Sequence, residues 1–590
     1  MRAAWLLALP LLVGCGPRDP GEGDGKDPAN APRLPEPVAV QLDASGQPLP
    51  DVLAQTQLLR RGNSEEPGTL DPHRAEGVPA ANILRDLFEG LVTTDPEGRL
   101  IPGAAGRWDI SRDGLTYTFY LREDGAWSNG EPVTADDFVF SLRRSVDPDT
   151  ATVHGRMLAP IANADDILAG RAAVETLAVT ALNERSVQIR LTAPTPYFLG
   201  LLTHAATYPV HRASLERHGS DFVQPGKLVS NGAFELAEWN PRASMRLQRN
   251  PHYHAAGRVV IEEVVYYPIE DQNTEFQRFR AGDLDWTDQV PHNQFRWISR
   301  NLPAALSVSP WFGSYFYGFN LTRPPFEDNL ALRQALTLAI DRDILTGKVT
   351  QFGEIPSFWL VPQGLPDYDG PEIEAAAWSQ AKREQRAREL YNEAGYSEDY
   401  PLEVELRYNT SENHRKIAVS MAAMWKQVLG VRTRLINEEF RVFLQNRELK
   451  RRTEAFRFGW IGDYQDPYTF LELFRSGHRR NDVGYANPTF DRLLEQIAAE
   501  RIPARRRNLM REAERMLLAD QVVLPVYTYV TKRLVDPLLK GWAPNVMDFH
   551  PSAQMFFVKA QSDATNIEAI EDKADDHPDD HPDDPSNAER

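Results

Sequence analysis

Cysteine is almost absent from this chain: a single one, Cys15, in 590 residues. An internal disulfide and a metal centre built on several thiolates are thereby excluded, since each needs more than one sulfur. Long apolar runs are missing as well. The most apolar stretch, Trp5 to Val13, is too short to span a bilayer. Positive charge is scarce, with 65 Lys and Arg against 84 Asp and Glu and a net charge of -19. Nucleic acid is therefore a poor partner, because phosphate backbones demand clustered cations. Catalytic signatures are lacking too: no GxSxG elbow, Walker A loop, GxGxxG turn or HExxH helix occurs. Asp136 and Asp137 form an acidic pair, but adjacent residues cannot share one helix face, and Thr134 before them reads as a helix start.

What is present describes an ordinary folded protein, 42% hydrophobic and 25% charged, neither a membrane channel nor a wholly disordered chain. Single cores stop growing near ~250 to 300 residues, so at least two lobes are expected. "MRAAWLLALPLLVGCG" has the layout of a secretory signal, and its "LVGC" resembles a lipobox, which implies a signal peptide over 1–15 and lipidation of Cys15. The Pro- and Gly-rich stretch that follows predicts a flexible tether over 16–54. At the other end, 561–590 is acidic, Pro-rich and nearly free of apolar residues, the composition of a disordered tail. His577 and His581 there could hold a metal among the aspartates, but the composition reads first as a solvated tail.

The body, 55–560, mixes both periodicities. "YTFYLRED" (117–124) and "VQIRLTAP" (187–194) alternate as half-buried strands do, and "QVVLPVYTYVTKRLV" (521–535) predicts a late strand returning to a sheet begun earlier. "NLALRQALTLAIDRDIL" (329–345) has helical spacing. The class is α/β with discontinuous lobes.

Four segments then resemble one family. "LDPHRAEGVPAANILRDLFEGLV" (70–92), "REDGAWSNGEPVTADDFVFSLRRSVDP" (122–148), "VSNGAFELAEWNPRASMRLQRNPHYH" (229–254) and "GWIGDYQDP" from Gly459 are similar, in order and spacing, to periplasmic oligopeptide-binding proteins of peptide ABC importers, solute-binding protein family 5. The resemblance runs from about Gln57 to Lys559. It implies a three-lobed periplasmic binding protein of type II: lobe one over 55–88, 213–312 and 530–560, lobe two over 89–212, lobe three over 313–529, with the ligand cleft between lobes one and three. It also implies a non-enzymatic receptor, monomeric and without cofactor or metal, that captures short peptides in the periplasm and passes them to an inner-membrane permease complex. Murein peptides, nickel or haem as ligand, a sensor or scavenger role, and a secreted peptidase are the alternatives.

Carried over residue by residue, the resemblance places the ligand's α-ammonium on Asp463, with Gly459 and Trp460 on the segment that lies against the peptide backbone. An acid there has a physical reason, since an ammonium enclosed without a partner is costly. Glu76, Gly77 and Val78 match an edge that pairs with the ligand's first residues; on the sequence alone they read as a turn. Arg457, His414 and Asn409 match positions that meet the ligand carboxylate, and Phe440, Arg447 and Tyr529 match further cleft positions. Departures bear on ligand length: His154 stands where the family has tyrosine, Gly318 where it has glutamate, Thr350 where it has lysine. Gly313 and Ile461 replace two cysteines that are bridged in some relatives.

Overall fold

The structure, a computed structural model, describes residues 37–44, 46–365 and 367–561. Cys15, the signal segment, most of the tether and the acidic tail with His577 and His581 lie outside the described residues. No helix among those described is long and apolar enough to cross a membrane.

Three sheets organise the body. Leu58–Gly62, Glu263–Tyr267, Ser244–Arg249 and Phe234–Asn240 lie side by side in a four-stranded sheet whose first pair is parallel. Ala105–Ile110, Thr116–Leu121, Ser186–Arg190 and Val179–Asn183 form a four-stranded antiparallel sheet. Thr116–Leu121 buries every second residue, as its sequence alternation requires. The third sheet has six strands in the order Ile355–Pro356, Val523–Leu534, Leu306–Phe319, Ala455–Ile461, Glu403–Asn409 and Arg432–Glu438.

Leu306–Phe319 and Val523–Leu534 are long antiparallel partners that tie separate cores together. Near Leu534 they adjoin a small cluster with Phe276, Ile298 and Leu302. Further along, Tyr315, Tyr317 and Phe319 face a core with Leu406 and Trp425, while Phe312 and Phe316 face another with Phe458 and Phe474. That split is the period of two in a strand covered on both faces. Between the two regions the register slips at Pro310 to Ser314, the kind of irregularity at which a strand bends. The first two sheets share one continuous core containing Leu59, Phe119 and Val264.

Local sequence explains the helices. Ala135–Val146 starts at a capping box in which the Thr134 hydroxyl accepts from the Asp137 N–H and the Asp137 carboxylate accepts from the Thr134 N–H. The acids read as a helix start serve as one. The helix expected across 329–345 is interrupted: it runs Leu330–Leu338, capped by Asn329, and a new turn begins at Arg342 because the Asp341 side chain accepts from the Ile344 N–H. A tether reaching residue 54 is also corrected. From Pro37 the backbone is held against the body, with bridges from Pro37 to Ala560 and from Leu53 to Val558.

Candidate functional site

The strand Ala455–Ile461 is paired completely on one side only. Toward Leu306–Phe319 its register runs from Ala455↔Phe319 to Ile461↔Gly313. On the other side Glu403–Asn409 meets it at Leu406↔Ala455 and Arg407↔Phe456, then continues with Arg432–Glu438 as far as Asn409↔Glu438. The divergence leaves Arg457 to Ile461 with an edge that no described strand covers. Backbone N–H and C=O groups on such an edge are a template for an added strand.

Gly459 sits in this edge for a steric reason. A Cβ there would lie 3.0 Å from the Tyr529 hydroxyl, 3.2 Å from Arg457 Nη2 and 3.3 Å from the Ser314 carbonyl oxygen. The replaced cysteine positions face each other as Gly313↔Ile461, and the isoleucine fills the gap: a Cβ on Gly313 would meet Ile461 Cδ1 at 2.2 Å. At Gly318 a Cβ would come within 2.8 Å of Phe456 and Val483, so the glutamate of the family pattern has no room.

Beyond the strand the chain turns through Gly462 to Pro467. Asp463 is exposed here and makes no hydrogen bond or ion pair with any described residue. Its carboxyl is held above the ordinary carboxylate range because surrounding protein displaces water, an effect the charges of His154 and Arg480 oppose. His154 packs edge-on against His204 at 4.7 Å between ring centres, and burial depresses His204 to about 3. A cavity of about 510 Å³ opens beside Asp463, lined by Tyr117, Pro194, Tyr197, Tyr464, Asp466 and Met510. Tyr464 stacks flat on Tyr197, ring centres 4.1 Å apart and planes at 7°, and its hydroxyl donates to Glu472 at 2.8 Å. Trp460 is turned inward, its indole N–H donating to Thr469 Oγ1 at 3.2 Å.

At the other end of the edge stands Arg457. Its Nη2 donates to the Tyr529 hydroxyl at 2.8 Å and its guanidinium lies 5.0 Å from the centre of the Tyr315 ring. No carboxylate pairs with it among the described residues, and its Nε is buried without a partner. Burial works against its charge, but the phenols of Tyr529, Tyr315 and Tyr527 more than compensate and raise its pKa. His414 Nδ1 is 3.2 Å from the Tyr315 hydroxyl, and desolvation, helped by the Arg457 charge, lowers it to about 3, so the imidazole is neutral. The Asn409 side-chain oxygen is buried and unpartnered where Glu403–Asn409 ends.

Other expected positions are placed differently. A helix begins at Gly77, so of Glu76, Gly77 and Val78 only Glu76 has extended backbone; Gly77 has φ +83°, which favours glycine, and Val78 is exposed. Arg447 is buried and donates from Nε and Nη2 to Asp482 at 2.8 and 2.6 Å, with its guanidinium over Phe458. It is committed inside the molecule. Phe440 opens the helix Phe440–Leu449 and is 51% exposed. Thr350 donates to Glu354 at 2.7 Å, so the lysine position carries an acid's partner instead of a free cation. Sequence patterns do not single out Tyr197 or Tyr315, and nothing in "TPYFLG" or "GSYFYGF" marks either, because their roles depend on partners far along the chain.

A family model described as bacterial extracellular solute-binding proteins, family 5 Middle, matches residues 99–482. The chain is 39% identical over 523 residues to the periplasmic oligopeptide-binding protein OppA of Escherichia coli (strain K12), covering 88% of this chain and 95% of the relative. To the periplasmic murein peptide-binding protein MppA of the same strain it is 36% identical over 519 residues, 88% and 96% of the two chains. Among solved structures, the unliganded open form of MppA superposes with a TM-score of 0.82 at 36% identity, over 86% of this chain and 98% of the other. The Haemophilus influenzae OppA complex with RPPGFSPFR gives 0.65 at 35% identity, over 86% and 100%.

Proposed function

This chain belongs to the bacterial extracellular solute-binding proteins of family 5, and we propose that it captures short peptides in the periplasm and delivers them to the permease of an ABC importer. Members of the family are binding proteins, and the candidate site contains what capture needs: an edge for a backbone and a charge for each end. The single observation that carries the reading is the uncovered strand edge from Arg457 to Ile461 with an unpaired cation at one end and an unpaired acid beyond the other. An extended peptide is a zwitterion with backbone donors and acceptors along its length. Laid on this edge it would direct its α-ammonium to Asp463 and its carboxylate toward Arg457, with main-chain bonds indifferent to side chains. Strand rise is about 3.3 Å per residue, so the span from Arg457 to Asp463, shortened by the reach of two side chains, suits roughly three to five residues.

Likeness to an open, unliganded structure over a peptide complex supports reading the present arrangement as the open state. Closure would then turn about the paired long strands, near the register slip at Pro310 to Ser314; hinge closure around a ligand is a general mode of which periplasmic binding proteins are themselves an example. Small-angle scattering should show a smaller radius of gyration with saturating peptide, and an unchanged value argues against closure. Murein peptides are the second reading, favoured by the likeness to MppA. Calorimetry with a tetrapeptide series and a murein tripeptide decides between them: tighter binding of the murein ligand selects the second reading, and no heat with either class rejects both. Anchoring through Cys15 belongs to the same proposal, because acyl chains would hold the receptor beside its permease. Cys15→Ser should move the protein from the membrane to the soluble fraction, and a variant that stays bound refutes lipidation.

A further inference from the structure

A second cavity, about 620 Å³, adjoins the first across Thr94, Thr203 and Phe549 and is not used by the peptide reading. Its size suits a small organic ligand, for which pockets run about 300 to 1,000 Å³. Phe88, Ile101, Tyr208, Met555 and Phe556 give it apolar walls, and the hairpin closed by Leu42↔Pro48 covers part of it with Val40 and Leu42.

Its cations are not ion-paired. Arg85, Arg122, Arg258 and Lys540 all line it, and none forms an ion pair among the described residues. Arg85, at the end of Gly77–Leu87, rests on the Phe549 ring at 3.7 Å and makes no hydrogen bond with any described residue. Arg122 gives its Nε to the Gly103 carbonyl at 2.7 Å and has no other side-chain bond among the described residues. The cavity's acid, Glu89, is already engaged: it accepts from the Tyr253 hydroxyl at 2.6 Å and lies 2.9 Å from His254 Nε2. Desolvation lowers the pKa of both Arg85 and Lys540, more than the nearby charges of Asp548 and Asp536 raise it. In a chain of net charge -19 an acid could easily stand here, and none is free.

We propose that this cavity binds one amphipathic anion, a carboxylate or phosphate head on an apolar body, with the head between Arg85, Arg122 and Lys540 and the body against Phe88, Met555 and Phe556. Guanidinium groups favour such heads by charge-assisted hydrogen bonding, and the walls would bury the remainder.

Calorimetry on the full chain tests this with laurate and dodecyl phosphate below micelle formation, with dodecanol and inorganic phosphate as controls. Laurate or dodecyl phosphate should bind with one-to-one stoichiometry, and the controls, each lacking half the chemistry, at least about tenfold more weakly. Arg85→Gln should weaken the amphipathic anions by about tenfold or more while peptide affinity is unchanged. Lys540→Met provides the same test should Arg85→Gln unfold. Absence of binding, binding unaffected by both substitutions, or displacement of laurate by saturating peptide would each overturn the assignment. So would laurate binding seen only after removal of the residues beyond Gln561, which would assign the cavity to the chain's own acidic tail.

Discussion

Asp466 and Arg447 are answered inside the molecule; Asp463 and Arg457, their close neighbours in sequence, are not. Asp466 receives Arg506 through both carboxylate oxygens, one of them at 2.9 Å, and Arg447 holds Asp482 with both side chains 6% exposed. Among the described residues Asp463 has no partner and Arg457 only phenols. Residue type therefore does not separate the charges the fold has paired from those it leaves open; the partner does. A charge the fold has already paired is costly to strand, whereas one left unpaired on an open edge is available to a ligand.

The largest expected effect falls on the paired side. Arg447→Met strands Asp482 in the interior, and losing one member of a buried pair costs about 3 to 5 kcal/mol. Urea unfolding should show that loss while peptide affinity of the folded fraction stays as it was; a drop in affinity at unchanged stability would reverse the roles assigned here. On the unpaired side the pattern inverts. Asp463→Asn should leave stability within about 0.5 kcal/mol and cut affinity for free-amine peptides by roughly thirty-fold to several thousand-fold. Calorimetry on native and Asn proteins with free and N-acetylated peptides measures the coupling, and strictly additive losses would mean the two groups do not meet.

Arg457→Met is the counterpart at the other end. We expect about tenfold to a hundredfold weaker binding of peptides with a free carboxylate and little change for C-terminal amides; equal losses for both would remove the carboxylate from its neighbourhood. A pH test sharpens the middle of the comparison, at Glu472, which accepts from Tyr464 next to Asp463. Burial raises it from 4.5 to about 7. A carboxyl whose folded pKa is raised contributes stability that is fully present below its unfolded value and is lost as pH rises toward the folded value. Unfolding free energy should therefore decline between about pH 4.5 and pH 7, and Glu472→Gln should flatten that decline. An unchanged slope in the Gln variant would place the titration elsewhere.

Part of this is legible along the chain itself. The Thr134 capping box, the alternation across Thr116–Leu121 and the late strand Val523–Leu534 follow from residue spacing, since side-chain direction repeats with a fixed period in each element. Family resemblance points to Asp463 and Arg457 through motifs of the same local kind. Where local rules compete, the reading fails locally: the helix through 329–345 is broken at Asp341, and Gly77 opens a helix where an edge is expected.

The sequence by itself determined the absence of an internal disulfide, the mixed α/β class and the helix start at Thr134, because composition and short-range periodicity act between residues close together in the chain, and its motifs carried the family resemblance. Only the tertiary structure decided which charges are free. Arg447 finds Asp482, Asp466 finds Arg506, and Glu403–Asn409 leaves its neighbour after Phe456; each event joins or separates segments far apart in sequence. A charge carries no mark of whether such a partner will arrive, so the open edge and its two unanswered ends exist only once the chain has folded.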